Sequence, residues 1–290
     1  MAAVQTRDFY TFRIFRGDTE GGSEVEYKVP IVEGMVILDA ILYIQSELAN
    51  DLAVRWNCKA AHCGSCSAEV NGMPRLMCKT RVDEYVGDIH VTPMKTFPLI
   101  RDLVTDVSWN YETVKKIAPF TPDPEDKSPW IMHQSDVERL YESRKCIECF
   151  LCQDVCHVLR NHNEMNQYFG PRYMVRYQYL AMHPKDTLNR RRAIKDKAGI
   201  GLCNITKCCQ EVCPQHIKIT DNAIIPLKER VADEFFDPVR WVGRKLLGGG
   251  DKRAHESVEG PGDEHGQVVG TPLHPGHGMT RPASKASAGK

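Results

Sequence analysis

The sequence predicts an α+β chain of two folded units, a β-grasp-like domain followed by an all-helical one. Three observations carry this. Aromatic and β-branched runs with an Asn71–Gly72 turn surround one amphipathic stretch in the first hundred residues. Helical patterning takes over after Ser135. Twelve cysteines concentrate in three stretches, one in the first unit and two in the second.

In chain order, residues 9–15 (FYTFRIF) read as a strand, residues 17–23 as a turn-rich gap and residues 24–32 as a second, alternating strand. Met35, Leu38, Ile41, Leu42, Gln45 and Leu48 follow helical spacing on one face. Residues 67–70 and 73–77 flank Asn71–Gly72, a strong two-residue hairpin signal, and residues 89–92 supply a further strand. Residues 97–107 read as a helix. Pro119, Pro122, Pro124 and Pro129 then hold the connection extended.

The second unit opens at Ser135-x-x-Glu138, a capping-box pattern for a helix leading into the second cysteine stretch. Tyr168, Phe169, Tyr173, Tyr177 and Tyr179 are expected to pack between helices. A helix is predicted from Asp186 to near Gly199, with Arg190, Arg191 and Arg192 on a solvated face. A last helix spans about residues 221–236 and kinks at Pro226. Beyond Leu247 large apolar residues almost vanish, so the chain there lacks the surface to pay for folding. The expected organisation is a β-grasp domain over 1–107, a linker over 108–134, a helical domain over 135–247 and a disordered tail over 248–290. His255, His265, His274 and His277 fall in that tail and receive no role.

Thirty-eight basic residues balance thirty-eight acidic ones, which gives no electrostatic reason to expect nucleic acid as a partner. The N-terminal residues lack the apolar run of a signal peptide, and no apolar stretch reaches the roughly 18 residues of a membrane span. Twelve cysteines in such a chain point to metal in a reducing compartment rather than to disulfides.

The cysteine spacing names the metal chemistry. Cys146, Cys149, Cys152 and Cys156 stand at x2, x2, x3, the frame of a two-cluster ferredoxin, in which the fourth cysteine serves the other cluster. Cys203, Cys209 and Cys213–Pro214 repeat the frame, with Thr206 where the second ligand would stand. Crossing the fourth ligands gives Cys146, Cys149, Cys152 and Cys213 to a 4Fe–4S cluster. Cys156, Cys203 and Cys209 remain for the other, and a hard threonine hydroxyl is a poor iron ligand. A 3Fe–4S cluster is therefore expected, with Cys208 a surplus thiol that could hold a fourth iron. In the first unit Cys58, Cys63 and Cys66 have the x4, x2 spacing of plant-type 2Fe–2S ferredoxins, with Cys78 as fourth ligand. Structural zinc prefers paired CxxC or HxxxH elements. Gly64 suits a tight loop around the cluster. Arg55, Lys59, Arg75 and Lys79 could moderate its charge, although each reads singly as a surface base. The iron is thus held by cysteines alone. No acid, base or hydride site is evident, so no catalytic residue is assigned.

A plant-type 2Fe–2S domain followed by a helical double-ferredoxin-like 4Fe–4S/3Fe–4S domain resembles the iron–sulfur subunit of succinate dehydrogenase and fumarate reductase, respiratory complex II. Eleven cysteines fall in that three-cluster pattern over roughly residues 8–247. The stretches LAVRWNCKAAHCGSCSAEVNG, FPLIRDLVTD, RKCIECFLCQDVCHV and GLCNITKCCQEVCPQHIKITDNAIIPLKERVAD are most similar to its actinobacterial type. The resemblance implies a flavoprotein partner carrying FAD and the dicarboxylate site. It also implies a cytochrome b-type membrane-anchor subunit with quinone near it, and a peripheral place on the cytoplasmic face of the cell membrane. Electrons would pass from FAD to 2Fe–2S, 4Fe–4S and then 3Fe–4S. The quinone end departs from many members: His157, Arg160, Asn161 and Asn204 stand where those carry proline, tryptophans and histidine, so no side chain of this chain alone is expected to fix quinone. An iron–sulfur subunit of another flavin-dependent oxidoreductase, of heterodisulfide-reductase type, is the alternative.

Overall fold

The structure, a computed structural model, describes residues 9–247 and 253–258. Strands β1 (Phe9–Asp18) and β2 (Gly21–Pro30) pair along their whole length, so the gap expected over 17–23 shrinks to a tight turn. The strands β3 (Ser67–Val70) and β4 (Met73–Leu76) form the hairpin that Asn71–Gly72 signals, with Asn71 at φ 47° and Gly72 at φ 79°. Strand β5 (Ile89–Thr92) lies parallel to β1 and antiparallel to β3. Phe12 and Ile14 point inward while Arg13 between them pairs with Asp88 and Glu26 on the outer face. Helix α1 (Ile37–Tyr43) continues through a wider turn to Leu48 and lays Ile37, Leu38, Ile41 and Ile44 on that sheet.

The helix expected over residues 97–107 is instead a strand pair, β6 (Leu99–Arg101) and β7 (Val104–Thr105). Asp102 explains the difference. It is buried at φ 48°, and its carboxylate accepts the Gly17 and Ala53 amides at 2.9 and 2.8 Å while pairing with Arg16. Those distant partners outweigh a local helical pattern.

The second unit comprises α2 (Ser108–Lys115), α3 (Gln134–Tyr141), α4 (Leu151–Asp154), α5 (His157–Arg160), α6 (Pro171–Ala181), α7 (Cys208–Glu211), α8 (Ile225–Phe235) and α9 (Pro238–Leu247). Helix α2 falls in the expected linker, yet it buries Asn110 and Thr113 and receives the Tyr173 hydroxyl on its Asn110 carbonyl. The capping box does not form. His133 is the N-cap of α3, and Glu138 accepts from the Gln134 side chain at 3.1 Å rather than bonding an N-cap amide. Pro226 sits in the first turn of α8, preceded by a widened turn over Ile219–Ile224 that accommodates the missing N–H.

Arg190 overturns the solvated reading of the basic triplet. Its side chain is fully buried and pairs with Asp186 at 2.7 Å and Glu256 at 2.9 Å, and the helix expected there is confined to a turn over Ala193–Lys197. Arg191 pairs with Glu234, and Arg192 is the exposed member. Glu256 lies in the expected disordered tail, but residues 253–258 pack back onto the helical unit. There Glu256 also accepts the Ala118 amide, and Asn189 exchanges backbone bonds with Ala254 and Glu256. The remaining tail positions, with His265, His274 and His277, lie outside the described residues.

Among the described residues no helix is long and apolar enough to cross a membrane. The two units share their packing: Cys149, Leu151 and Val212 belong to the core beneath the sheet.

Candidate iron–sulfur sites

All twelve cysteines are free thiols, and eleven of them gather into three nests. The first forms because the chain between residues 57 and 66 cannot run straight. Lys59, Ala61 and Gly64 all take positive φ, which turns successive amides inward. Cys58 Sγ accepts from the Ala60 and His62 amides at 3.4 and 3.3 Å, Cys63 Sγ from Cys58, Cys66 Sγ from Cys78, and Cys78 Sγ from Ala61. Every sulfur of this nest therefore has an N–H aimed at it, the arrangement that stabilises an anionic cluster. Burial pushes the Cys63 thiol up, but the Ser65 and Cys58 donors outweigh it and bring it down to about 6; burial carries Cys66 to about 12.

The second and third nests come from two loops of the same backbone design. Glu148 and Phe150 have positive φ ahead of α4, and Ile205 and Lys207 have positive φ ahead of α7. Each loop thus doubles back before a one-turn helix that carries its next cysteine. Cys146, Cys149, Cys152 and Cys213 line one cavity together with Phe150 and Arg172, and Cys213 Sγ accepts the Ile217 amide at 3.4 Å. Cys156, Cys203 and Cys209 neighbour one another around Tyr168. Burial pushes Cys149 and Cys209 to about 12 and Cys156 to about 11. Such sites disfavour bare thiolates and favour sulfurs whose charge is offset by iron.

The donor set fits iron–sulfur clusters on an observation independent of the spacing. The Tyr168 hydroxyl is fully buried beside Cys203, Cys156 and Cys209 and makes no well-formed hydrogen bond among the described residues, the Cys203 thiol being its polar neighbour. A cluster sulfur there would supply the acceptor. Thr206 Oγ1 lies 3.3 Å from the Cys208 Sγ, and Cys208 is half-buried while Cys209 turns inward to within 3.5 Å of the Thr220 hydroxyl.

Neighbouring nests touch. Gly64 runs so close to the second nest that a Cβ there would stand 2.6 Å from the Cys149 Cα. The Ser67 hydroxyl donates to the Cys149 carbonyl at 2.9 Å, Lys79 to the Pro214 carbonyl at 2.9 Å, and Gln215 to the Ala61 carbonyl at 3.3 Å. Of the bases expected to temper the first cluster, Lys79 thus bridges to the second nest. Arg55 bonds the Thr105 carbonyl, and Lys59 stacks on Trp56. Two ligand-bearing segments, around α4 and α7, each contribute a cysteine to both helical-domain nests.

Sequence reasoning missed a buried carboxylate pair between the units. Glu69, with no solvent exposure, holds Arg160 at 2.8 Å and Lys95 at 2.9 Å. Burial pushes neighbouring Asp154 up to about 7, opposed by the Thr96 amide and reinforced by the Glu69 charge. Arg160 therefore faces the first domain. His157, whose role the sequence left open, meets Asn204 at 2.6 Å across the two loops.

Comparison with known proteins agrees with this reading. A 2Fe-2S iron-sulfur cluster binding domain matches residues 11–112, and a 4Fe-4S dicluster domain matches residues 142–217. The fumarate reductase iron-sulfur subunit of Haemophilus influenzae is 30% identical over 207 residues, covering 66% of this chain and 80% of that protein. The succinate dehydrogenase iron-sulfur subunit of Bacillus subtilis is 29% identical over 233 residues, covering 72% and 87%. A chain of the Mycobacterium smegmatis Sdh1 complex in the apo form superposes with a TM-score of 0.78 at 55% identity, over 80% of this chain and 98% of that one. With its cysteine nests, its two-domain fold and these relatives, the chain belongs to the iron–sulfur subunit family of succinate dehydrogenase and fumarate reductase.

Proposed function

We propose that this chain is the electron-transfer subunit of a succinate:quinone oxidoreductase, passing electrons singly between the FAD of a flavoprotein subunit and quinone at a cytochrome b-type membrane-anchor subunit. The single observation that carries this is the contact series: the first cysteine nest abuts the second through Gly64 and Cys149, and the second adjoins the third through the packed helices α4 and α7. Cys58, Cys63, Cys66 and Cys78 hold the 2Fe–2S cluster. Cys146, Cys149, Cys152 and Cys213 hold the 4Fe–4S cluster, and Cys156, Cys203 and Cys209 a 3Fe–4S cluster. The clusters supply one-electron chemistry at iron, so a flavin that gives up two electrons can be emptied in single steps.

The protein's own part is to hold those centres close, to point amides at their sulfurs and to keep water out. Phe150, Ile217 and Ile219 wall the second nest in apolar surface, which limits solvent access and so helps to set potential. The dicarboxylate chemistry belongs to the flavoprotein. The Thr206–Cys208 pairing supports three irons rather than four in the last cluster, since these two extra donors of the loop are engaged with each other. In this reading the chain sits peripherally on the cytoplasmic face of the membrane and no side chain of it alone fixes quinone, which the engagement of Arg160 by Glu69 supports.

The test is anaerobic isolation of the complex through a tag on this chain. Co-purification with an FAD-bearing subunit and reduction of the clusters by succinate are expected. A flavoprotein partner of heterodisulfide-reductase type, with clusters unreactive to succinate, would overturn the proposal.

A further inference from the structure

Two buried side chains, each with a poorly satisfied donor, border the two cages of the helical domain, and both belong to one short segment. Tyr168 is wholly buried, and its hydroxyl, with the Cys203 thiol beside it, makes no well-formed hydrogen bond among the described residues. Leaving a buried hydroxyl without a good acceptor is costly, and a sulfur at the cysteine site would satisfy it better than the neighbouring thiol does. The groups around it are Cys203, Cys156 and Cys209. Four residues on, Arg172 is 6% exposed and lines the cavity of Cys146, Cys149, Cys152 and Cys213. One arm of its guanidinium pairs with Glu148, and its Nε has no partner among the described residues.

The segment between them is clamped. Gly170, at φ 87°, passes so close to Gln153 that an added Cβ would lie 2.2 Å from its Oε1. Gln153 donates to the Phe169 carbonyl at 3.0 Å and accepts the Arg172 amide at 3.2 Å. Because Gln153 lies between Cys152 and Cys156, the segment is fixed directly to the ligand-bearing helix.

We propose that Tyr168 and Arg172 set the reduction potentials of the two helical-domain clusters separately. The Tyr168 hydroxyl donates to a sulfur of the cluster held by Cys156, Cys203 and Cys209. The Arg172 guanidinium places its positive charge beside the cluster held by Cys146, Cys149, Cys152 and Cys213. Each one-electron reduction adds a negative charge, so a donor or a cation favours the reduced form and raises the potential. Glu148 offsets Arg172 and works in the opposite sense. This inference rests on the cluster assignment proposed above.

The experiment is an EPR-monitored redox titration of the intact complex carrying Tyr168→Phe, Arg172→Gln or Glu148→Gln. Y168F is expected to lower only the potential of the cluster at Cys156, Cys203 and Cys209. R172Q should lower, and E148Q raise, only that of the other cluster. Each change should be about tenfold in the reduction equilibrium, about 59 mV for one electron. Wild-type potentials in Y168F, or equal shifts at both clusters, would overturn the inference. Should R172Q fail to retain its cluster, E148Q decides alone, and the absence of an upward shift would count against it. Loss of both cluster signals in the wild-type complex would instead refute the cluster assignment.

Discussion

Thr206 stands where the second loop would need a soft ligand, and its hydroxyl is occupied by the neighbouring Cys208 thiol. Cys208 is therefore expected to be dispensable: the proposed three-iron cluster should give its oxidised-state EPR signal equally in wild type and in Cys208→Ser, whereas a signal absent from wild type and gained in Cys208→Ser would make Cys208 the ligand of a fourth iron. Gly64 carries a different kind of constraint. It combines φ 71° with an approach to the second nest that no side chain tolerates. Gly64→Ala should destabilise the fold by about 1–3 kcal/mol. The drop should appear in thermal unfolding, accompanied by reduced 2Fe–2S occupancy; unchanged stability would show that the loops do not need this contact.

At the scale of elements, the same left-handed pairs before α4 and α7 make two ligand loops out of dissimilar residues. Closer to the tail, residues 253–258 act as a clasp. Glu256 binds Arg190, the Ala118 amide and the Tyr177 hydroxyl in a site without water access. Removing one partner of a buried ion pair leaves the other charge uncompensated, at a cost of about 3–5 kcal/mol. Glu256→Ala should fall at the low end, about 3 kcal/mol, because Asp186 and the Ala118 and Pro119 carbonyls still hold Arg190. A Tm equal to wild type would contradict this. The clasp also shows what a sequence conceals. The cysteine loops were legible because ligand spacing is a local property of a few turns of chain. The Asn71–Gly72 hairpin was legible for the same reason. Arg190 read as solvated because its partner Glu256 comes 66 residues later in a Gly- and Pro-rich tail. The stretch over 97–107 read as helix because the partners of Asp102, Gly17 and Ala53, lie 85 and 49 residues away. Long-range partners to a buried charge leave no periodic trace.

At the scale of the whole molecule, the two domains are joined by a shared core and a buried charge cluster. Glu69 on β3 grips Arg160 on α5, and Ser67, Lys79 and Gln215 stitch the loops that carry adjacent cysteine nests. Glu69→Ala strips the interface of its central anion, and hydrogen exchange at β3 and α4 should then accelerate by at least about tenfold, corresponding to about 1.4 kcal/mol of lost protection. Unchanged exchange would mean that the apolar contacts alone hold the domains together. The claim beneath all of this is that thiolates hold iron in three separate nests. Chemical analysis of anaerobically purified protein tests it most directly, by counting iron and acid-labile sulfide. Two-, four- and three-iron clusters together require about nine irons per chain, with inorganic sulfide present. Protein without acid-labile sulfide, or with zinc in place of iron, would contradict the account.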